Sequence, residues 1–424
     1  MSLETTAQAA THVGRKRRRN EDSHLVDEEL SLYVVADGMG GQAAGDIASQ
    51  RAVTTVRTYV NERKGVIEKL RNDASQENKA AAQELVTSAI QAACADLWTM
   101  AEADEKLRGM GTTMVCCIVA GERAVLGHVG DSRAYLIRQG AAHSLTEDHT
   151  LVAAQIKHGT MTKEQAKKSA LRSVLTRAVG TQPSVQVDTL IVDLMPGDVV
   201  LICSDGLHGY FEDEQELANL CSNMNDSLAE KLVEMANERG GRDNITAMLV
   251  SVKSQVEAEG PESVMYESLR KHEALRGIPL FMHLTYREQA ELVAIATVKS
   301  YPEGEAIVVE GDVGEDLYVV LRGRVAVEKN GTAITTIPAG GYFGEMGLID
   351  DSKRSATVSA LEPVRTMIIK RADMMNVMRR EPVLAVKLLW SFVQGLSQRL
   401  RTANTELTEA RAELFAAQGV APYT

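Results

Sequence analysis

The stretch LYVVADGMGGQAAGDIAS, residues 32–49, decides how the first half of this chain is interpreted. An apolar run ends at Asp37, glycines follow at Gly38 and Gly40, and a helical pattern begins after Ala43. This order nearly matches the strand, G-x-G-x-x-A and helix arrangement of a dinucleotide site. The alternative is that Asp37 itself, at the end of the strand, is the functional residue.

The residues downstream favour the second interpretation. A dinucleotide fold needs a second strand that ends in an acidic residue about twenty residues further on. Residues 51–70, RAVTTVRTYVNERKGVIEKL, keep a helical pattern instead. The dinucleotide interpretation is therefore not favoured, and Asp37 becomes the residue on which the chemistry depends.

Composition narrows the class of protein. With 424 residues, 44% hydrophobic and 25% charged, the chain is predicted to be a globular protein of two domains. No apolar run approaches the roughly 18 to 20 residues of a membrane helix, so no membrane contact is expected. A net charge of −12 argues against nucleic-acid binding. The N-terminus lacks a leader pattern and the five cysteines lack disulfide spacing, which predicts a cytoplasmic protein with free thiols.

The first domain is predicted over residues 1–253. Apolar runs of strand length alternate there with two long helical stretches, 43–70 and 76–104, and end in turn residues. This pattern is typical of an α+β sandwich. Residues 254–263 lose the apolar periodicity and gain charge, Gly and Pro, so a linker is expected there.

The second domain is predicted over residues 264–405. A helical pattern runs to residue 296, and short Val-, Ile- and Tyr-rich runs broken by Gly, Asn-Gly or Pro follow it. This is typical of a helix-flanked β jelly roll. Residues 406–424 are predicted to be a C-terminal helix extension and tail.

The last helical segment carries a heptad seam, with apolar positions spaced alternately by four and three residues. These positions are Leu389, Val393, Leu396, Leu400, Ala403, Leu407, Ala410 and Leu414. Little chain remains beyond Leu400 to cover the seam, which favours a homodimer through this helix. For the first half of the seam, packing on the barrel is an equal alternative.

Four aspartates share one setting at the edges of apolar β-type runs: Asp37, Asp131, Asp205 and Asp243. Taken singly, an Asp-Gly after a strand is usually a turn. Taken together, they offer the several oxygen ligands that Mg²⁺ or Mn²⁺ requires. The cysteines and His128 show no ligand spacing that would favour a softer metal.

Eight sequence blocks then carry a resemblance over residues 10–252. They are RRRNEDS, ADGMGGQAAGD, MGTTMV, GHVGDSRAYLI, LTEDHTLV, LRSVLTRAVG, CSDGL and GGRDNIT. Their order resembles that of bacterial metal-dependent Ser/Thr protein phosphatases of the type 2C family. The resemblance implies a four-layer α-β-β-α sandwich with a binuclear metal centre between its sheets.

The same resemblance assigns metal ligands residue by residue. Asp37 would bridge the two metals, and the carbonyl of Gly38 would ligate one of them. Asp205 and Asp243 would complete the other metal. Asp131 resembles the ligand of a weaker third metal.

Two further assignments concern water and phosphate. Asp22, with Glu21 beside it, would hold metal-bound water. Arg17 matches the phosphate-binding arginine, whose planar fork suits bidentate contact with a phosphoryl group. The resemblance gives no role to the neighbouring Lys16, Arg18 and Arg19. Two close cations would activate a water for in-line attack, so no protein nucleophile is required.

Two other residues offer alternative chemistry. His149, in the EDHT block, is expected to have a structural hydrogen-bonding role rather than a catalytic one. Cys117 and Arg123 have the C-x₅-R spacing of cysteine-dependent phosphatases. The loop between them joins two strand-like runs and lacks the helix N-terminus that would stabilise a thiolate, so this chemistry is not expected.

The stretch YFGEMGLIDDSKRSATVSA, residues 342–360, is the informative block of the second domain. Its Gly-rich turn can cradle a phosphate with backbone N–H groups, Glu345 can accept from a ribose hydroxyl, and Arg354 can pair with the phosphate charge. The alternative is a jelly roll with a solvated loop. A metal-binding cupin is less favoured, because no histidine follows His283.

This block resembles the phosphate-binding cassette of cyclic-nucleotide-binding domains. The resemblance implies that Gly344, Glu345, Arg354 and Ser355 contact the cyclic phosphate and ribose of cAMP or cGMP. Asn404, on the C-terminal helix, would reach the base edge. No helix-turn-helix pattern follows that helix, so a DNA-reading role is not expected.

These observations and the resemblance predict a cytoplasmic Ser/Thr phosphoprotein phosphatase that uses two Mn²⁺ or Mg²⁺ ions. A third ion is expected if the weaker site at Asp131 is filled. Its substrates would be targets of a bacterial Ser/Thr kinase, and a cyclic nucleotide would regulate it allosterically. Two alternatives remain: an active phosphatase whose barrel only docks, and a non-catalytic scaffold that binds cyclic nucleotide.

Overall fold

The computed structural model describes residues 3–40, 44–211, 213–222, 225–254, 264–348 and 353–418. The chain forms two compact units, residues 1–268 and 269–424. Except for Ser254, the expected linker lies outside the described residues. None of the helices in these ranges combines the length and apolar character needed to cross a bilayer.

Two antiparallel sheets form the centre of the first unit. The larger sheet contains β2 (Asp22–Asp27), β3 (Leu32–Met39), β4 (Gly111–Thr112), β5 (Met114–Ala120), β6 (Arg123–Val129) and β9 (Asp188–Asp193). The smaller sheet has the order β1 (Leu3–His12), β11 (Ile245–Ser254), β10 (Val199–Cys203), β7 (Arg133–Arg138) and β8 (Ala141–Ser144). Every residue of β5 and β10 is buried, because each sheet is covered on both faces.

Helices cover the outer faces of the two sheets. On the larger sheet lie α1 (Gly45–Asn61) and α3 (Gln76–Ala103), and on the smaller sheet lie α7 (Glu214–Cys221) and α8 (Leu228–Glu238). The shorter helices are α2 (Gly65–Asn72), α4 (Leu151–Lys157), α5 (Lys163–Lys168) and α6 (Asp205–His208). Strands β1 and β11 of one sheet contact β2 of the other. The expected α+β fold, a four-layer α-β-β-α sandwich, is confirmed.

The first long helical stretch differs from the prediction. The structure divides 43–70 into α1 and α2, because residues 62–64 form tighter turns. Arg63 N–H donates to the Val60 carbonyl at 3.0 Å rather than to the residue four back. The second stretch is confirmed as α3, which Ser75 caps by accepting from Asn78 N–H at 3.4 Å.

The second unit is a jelly roll of two four-stranded sheets flanked by helices. One sheet has the order β12 (Thr297–Tyr301), β19 (Val364–Ile369), β14 (Leu317–Arg322) and β17 (Tyr342–Phe343). The other has the order β13 (Ala306–Val308), β18 (Thr357–Ala360), β15 (Arg324–Lys329) and β16 (Thr332–Pro338). The helices are the part of α9 (Val264–Gly277) from residue 269 onward, α10 (Tyr286–Ile295), α11 (Arg371–Arg380) and α12 (Pro382–Gln418).

The predicted helical stretch 264–296 is interrupted between α9 and α10. Pro279 has no N–H for a helical bond, and Ile278 before it takes the extended conformation that proline imposes on its predecessor. A short 3₁₀ turn, Pro279–Phe281, therefore separates the two helices.

Helix α12 packs on the jelly roll through a face other than the heptad seam. Leu384 and Leu388 are buried in the helical core of the second unit. The seam residues Leu389 and Val393 are 56% and 59% exposed. The alternative that the first half of the seam packs on the barrel is therefore wrong for these residues.

Candidate functional site

The acidic residues of the first unit come together where several strands end. In the register of β2 and β3, Asp22 pairs with Asp37. Ser204 separates β10 from Asp205, the first residue of α6, and Asn244 separates Asp243 from β11. The carboxyl group of Asp37 lies within hydrogen-bonding reach of those of Asp22 and Asp205. Asp131, just after β6, is close enough for its charge to act on the carboxyl group of Asp205.

Burial and mutual repulsion raise the pKa values of this acidic centre. Burial raises the pKa of Asp205 to about 8, and the charges of Asp131 and Asp243 add to the shift. The pKa of Asp37 lies well above its usual range, first through burial and then through the charge of Asp22. Burial also raises the pKa of Asp22 and of Asp131 to about 6. Without a cation these carboxyl groups therefore hold their protons to a higher pH than free aspartates do, and a bound cation would favour their charged forms.

The oxygen atoms of the centre suit a hard divalent cation. Oδ2 of Asp22 accepts hydrogen bonds from Ser204 Oγ at 2.8 Å and from Thr246 Oγ1 at 2.6 Å. Oδ1 of Asp22 and Oδ1 of Asp205 are buried without a hydrogen-bond partner among the described residues. Within those residues, no three His, Cys, Asp or Glu side chains are already arranged as a cation site. The donor set is nonetheless all oxygen, which Mg²⁺ and Mn²⁺ prefer.

The backbone at Asp37 is held rigidly. Its carbonyl accepts from Thr113 N–H at 2.8 Å and from Thr112 Oγ1 at 2.9 Å, and its N–H donates to Thr113 Oγ1 at 3.0 Å. A Cβ on Gly38 would lie 2.0 Å from the Gly45 carbonyl oxygen, so only glycine fits there. The glycine of the opening stretch thus lets α1 approach the end of β3.

Arg17 lies at the edge of the acidic centre. Its guanidinium donates to Asp243 Oδ2 at 2.8 Å, and the side chains are 51% and 34% exposed. This bond is the main reason that the pKa of Arg17 is raised. The expected phosphate-binding arginine is therefore adjacent to an expected metal ligand, in a position open to solvent.

Asn244 is a positioning residue that the sequence did not reveal. Its Nδ2 donates to the carbonyls of Val13 and Arg19, both at 2.9 Å, and its Oδ1 accepts from Glu21 N–H at 2.8 Å. It thereby fixes both ends of the loop that carries Arg17. Only its place beside Asp243 could have drawn attention to it.

The two alternative chemistries are not supported by the geometry. His149 is buried, its Nδ1 accepts from Gly130 N–H at 3.1 Å, and its Nε2 lies 3.2 Å from Asp188 Oδ2. This arrangement is the structural role expected for it. Cys117 is buried in β5, where burial raises the pKa of its thiol to about 12, so it is not a thiolate. Arg123 pairs with Asp193 across the sheet.

In the second unit, the predicted cassette residues Gly344 and Arg354 are in contact. The Arg354 guanidinium donates to the Gly344 carbonyl at 3.2 Å and to the Asp316 carbonyl at 3.0 Å. Glu345 begins a 3₁₀ turn, Glu345–Leu348, and is half-buried. Ser355 follows Arg354 and is exposed.

Among the residues that the structure describes, no contact brings Asn404 to the cassette. It lies on α12 with an exposed side chain that forms no hydrogen bond to the described residues. Residues 349–352 of the cassette lie outside the described ranges. The role of Asn404 at the base edge stays a prediction.

Comparisons with known proteins match both units. The family described as Protein phosphatase 2C matches residues 10–249, and the family described as Cyclic nucleotide-binding domain matches residues 298–381. Serine/threonine phosphatase stp of Listeria welshimeri is 38% identical over 255 residues, covering 58% of this chain and 94% of that protein. Protein phosphatase PhpP of Streptococcus pneumoniae is 35% identical over 256 residues, covering 58% of this chain and 96% of its own.

Solved structures give the same result for the first unit. The serine/threonine phosphatase PstP/Ppp of Mycobacterium tuberculosis has a TM-score of 0.52 and 31% identity, covering 60% of this chain and all of its own. The catalytic domain of PstP solved with two manganese ions has a TM-score of 0.51 and 30% identity, with the same coverage.

Proposed function

Because this chain belongs to the protein phosphatase 2C family and is a protein Ser/Thr phosphatase, we propose that its acidic centre holds two Mn²⁺ or Mg²⁺ ions and that a cyclic nucleotide in its second unit regulates turnover. One observation carries the catalytic part of the proposal. Five aspartates converge at the strand ends, and two of them offer buried oxygens without a hydrogen-bond partner in the described ranges. The manganese ions in the related PstP domain support it.

The chain's own residues would divide the work as follows. The carboxylates of Asp37, Asp205 and Asp243 and the Gly38 carbonyl would hold the two ions, with Asp131 on a third. Bound divalent cations would supply an activated water nucleophile and compensate the negative charge of the phosphoryl group. Asp22, fixed by its two hydroxyl donors, would orient that water through its free Oδ1.

Arg17 would bind and orient the phosphoryl group. One of its guanidinium nitrogens bonds to Asp243, and the remaining N–H groups are available at an exposed position. A planar donor fork of this kind matches two phosphoryl oxygens. Binding of the phosphoryl group by Arg17 requires no movement of the backbone, since Asn244 already fixes the loop that carries this arginine.

The stability of the metal-free protein should fall as the pH rises. Burial raises the pKa of Asp205 to about 8 and that of Asp22 to about 6, whereas an aspartate in the unfolded chain has a pKa of about 4. The folded chain therefore holds more protons than the unfolded chain between about pH 4 and pH 8, and stability is lost across that window. We expect a lower Tm at about pH 8 than at about pH 5 in EDTA.

Divalent cations should offset this loss. We expect Mn²⁺ to raise the Tm more at about pH 8 than at about pH 5, because deprotonated carboxylates bind it better. Scanning calorimetry of the full chain measures both effects. A Tm that does not respond to Mn²⁺ at either pH would show that the acidic centre is not a metal site.

The regulatory part of the proposal rests on the cassette and the helix that follows it. Gly344, Glu345, Arg354 and Ser355 would bind the phosphate and ribose of cAMP or cGMP, and Asn404 the base. Helix α12 continues from the jelly roll to Gln418 and exposes Leu396, Leu400, Leu407 and Leu414 of the heptad seam. We propose that two copies of the chain pair along this seam. A nucleotide that favours one arrangement of α12 would then bias the dimer.

Turnover of a phosphothreonine peptide with Mn²⁺, with and without cAMP or cGMP, tests the proposal. We expect turnover that changes when the nucleotide binds, and a dimer in sedimentation runs of the same samples. Equal turnover rates with and without bound nucleotide would instead favour a jelly roll that only docks. A monomer at all concentrations would show that two copies of the chain do not pair along the seam. All five cysteines are buried free thiols, which supports the cytoplasm as the compartment; cell fractionation tests it.

A further inference from the structure

Five successive cations form a loop beside the acidic centre. Residues 15–19 read Arg-Lys-Arg-Arg-Arg, and all five are exposed. This basic loop is unusual in a chain with a net charge of −12. It concentrates positive potential on one edge of an otherwise acidic protein.

The loop is held in place by its backbone. Arg15 N–H donates to the Gly241 carbonyl at 2.7 Å, and Asn244 Nδ2 donates to the carbonyls of Val13, before the loop, and Arg19, its last residue. A Cβ on Gly14 would lie 2.1 Å from the Asp243 carbonyl oxygen, so the chain passes as close to the metal-ligand segment as glycine allows. The basic side chains are therefore displayed from a fixed frame rather than from a free tail.

One of the five cations is paired with the acidic centre, since the Arg17 guanidinium bonds to Asp243 Oδ2 at 2.8 Å. Arg15, Lys16 and Arg18 form no ion pair with any residue that the structure describes. These three charges are available to a molecule that reaches the centre from solvent.

We propose that the basic loop selects phosphorylated sites flanked by acidic residues. The inference rests on the proposed function, in which the phosphoryl group enters the acidic centre beside Arg17. The residues next to the phosphorylated side chain then lie at the loop, where Lys16 and Arg18 attract Asp or Glu and repel Lys or Arg. An acidic phosphopeptide is favoured over other anions because the phosphate and its neighbours are recognised together.

Three phosphothreonine peptides of equal length test the inference with the Mn²⁺-loaded full chain. Their flanking residues are all Glu, all Ala or all Lys, and p-nitrophenyl phosphate provides a reference without flanks. We expect kcat/KM to decrease in the order Glu, Ala, Lys by roughly 1.5-fold to fivefold per step, as for exposed ion pairs. The preference should shrink between about 50 mM and about 500 mM NaCl.

Two double variants separate the loop from general charge effects. In Lys16→Gln/Arg18→Gln, the ratio of kcat/KM for the Glu and Ala peptides should fall towards one. The matched control, Lys69→Gln/Arg71→Gln, removes two exposed cations from α2. Arg71 packs against Gly121, just after the end of β5, whereas Thr113, which bonds to Asp37, lies just before the start of that strand. The ratio of kcat/KM for the Glu and Ala peptides should therefore not change in this control.

The possible outcomes distinguish the inference from the function on which it rests. Equal kcat/KM for the three peptides, or a preference that survives Lys16→Gln/Arg18→Gln, would overturn the role of the loop and leave the phosphatase activity standing. Hydrolysis of p-nitrophenyl phosphate without hydrolysis of any peptide would overturn both.

Discussion

Replacing Asp205 by Asn should lower turnover of a phosphothreonine peptide by on the order of a thousandfold at saturating Mn²⁺. The buried Oδ1 of Asp205 has no hydrogen-bond partner among the described residues, and its carboxyl group contacts that of Asp37. An amide of the same size removes the anionic charge that a divalent cation requires. Initial rates of peptide dephosphorylation by the full chain measure the effect.

The same substitution should stabilise the metal-free protein at high pH. It removes one of several like charges, so the Tm in EDTA at about pH 8 should rise above that of the parent. The Tm increase caused by Mn²⁺ should shrink. A loss of activity caused by misfolding would instead lower the Tm, so the two explanations give opposite results.

Asp213→Asn provides the matched control for Asp205→Asn. Asp213 is exposed and caps α7 by accepting from Gln215 N–H, a role that asparagine fills equally well. Turnover by this variant should stay within about twofold of the parent. If Asp205→Asn turned over the peptide at the parental rate, the assignment of Asp205 to the catalytic centre would be wrong.

The acidic centre could be predicted from the sequence because its signal is local. Asp37 and Asp205 each come just after a fully buried apolar run, residues 32–36 of β3 and residues 199–203 of β10. The groups that fix the centre carry no such signal. Ser204 and Thr246 bind Asp22 from 182 and 224 residues away along the chain, and only the folded sheets bring them together.

The helices show a similar limit. The amphipathic pattern predicts helix across residues 43–70, and it does not record the tighter turns at 62–64. Pro279 was a visible signal that the stretch 264–296 would break. The exposed seam of α12 could be predicted as an apolar stripe, whereas the packing of its first turns through Leu384 and Leu388 depends on tertiary contacts.

The contacts of Arg354 also depend on the folded structure. The sequence indicates a phosphate-binding arginine, but its hydrogen bonds to the carbonyls of Gly344 and Asp316 join parts of the chain up to 38 residues apart. Gly314 lies against the same guanidinium, because a Cβ there would be 2.4 Å from Arg354 Nε. These contacts hold the charge in the turn where the phosphate is expected.

Arg354→Ala should weaken binding of cAMP or cGMP by at least about a hundredfold. Two charge-assisted hydrogen bonds to a phosphate are worth about 1.5 to 3 kcal/mol each, and alanine removes both. Isothermal titration of the full chain measures the loss. Phosphopeptide turnover without nucleotide should continue, and its response to nucleotide should disappear.

Two further variants show whether the effect belongs to the cassette. Arg324→Ala makes the same chemical change at an exposed strand residue paired with Glu362, and nucleotide affinity should stay within about twofold of the parent. Gly314→Ala keeps the arginine but displaces its guanidinium, so affinity should fall by about tenfold. Because Gly314 has no left-handed backbone to strain, this loss would arise from the arginine's position. Parental affinity in Arg354→Ala would mean that the nucleotide, if bound, lies elsewhere.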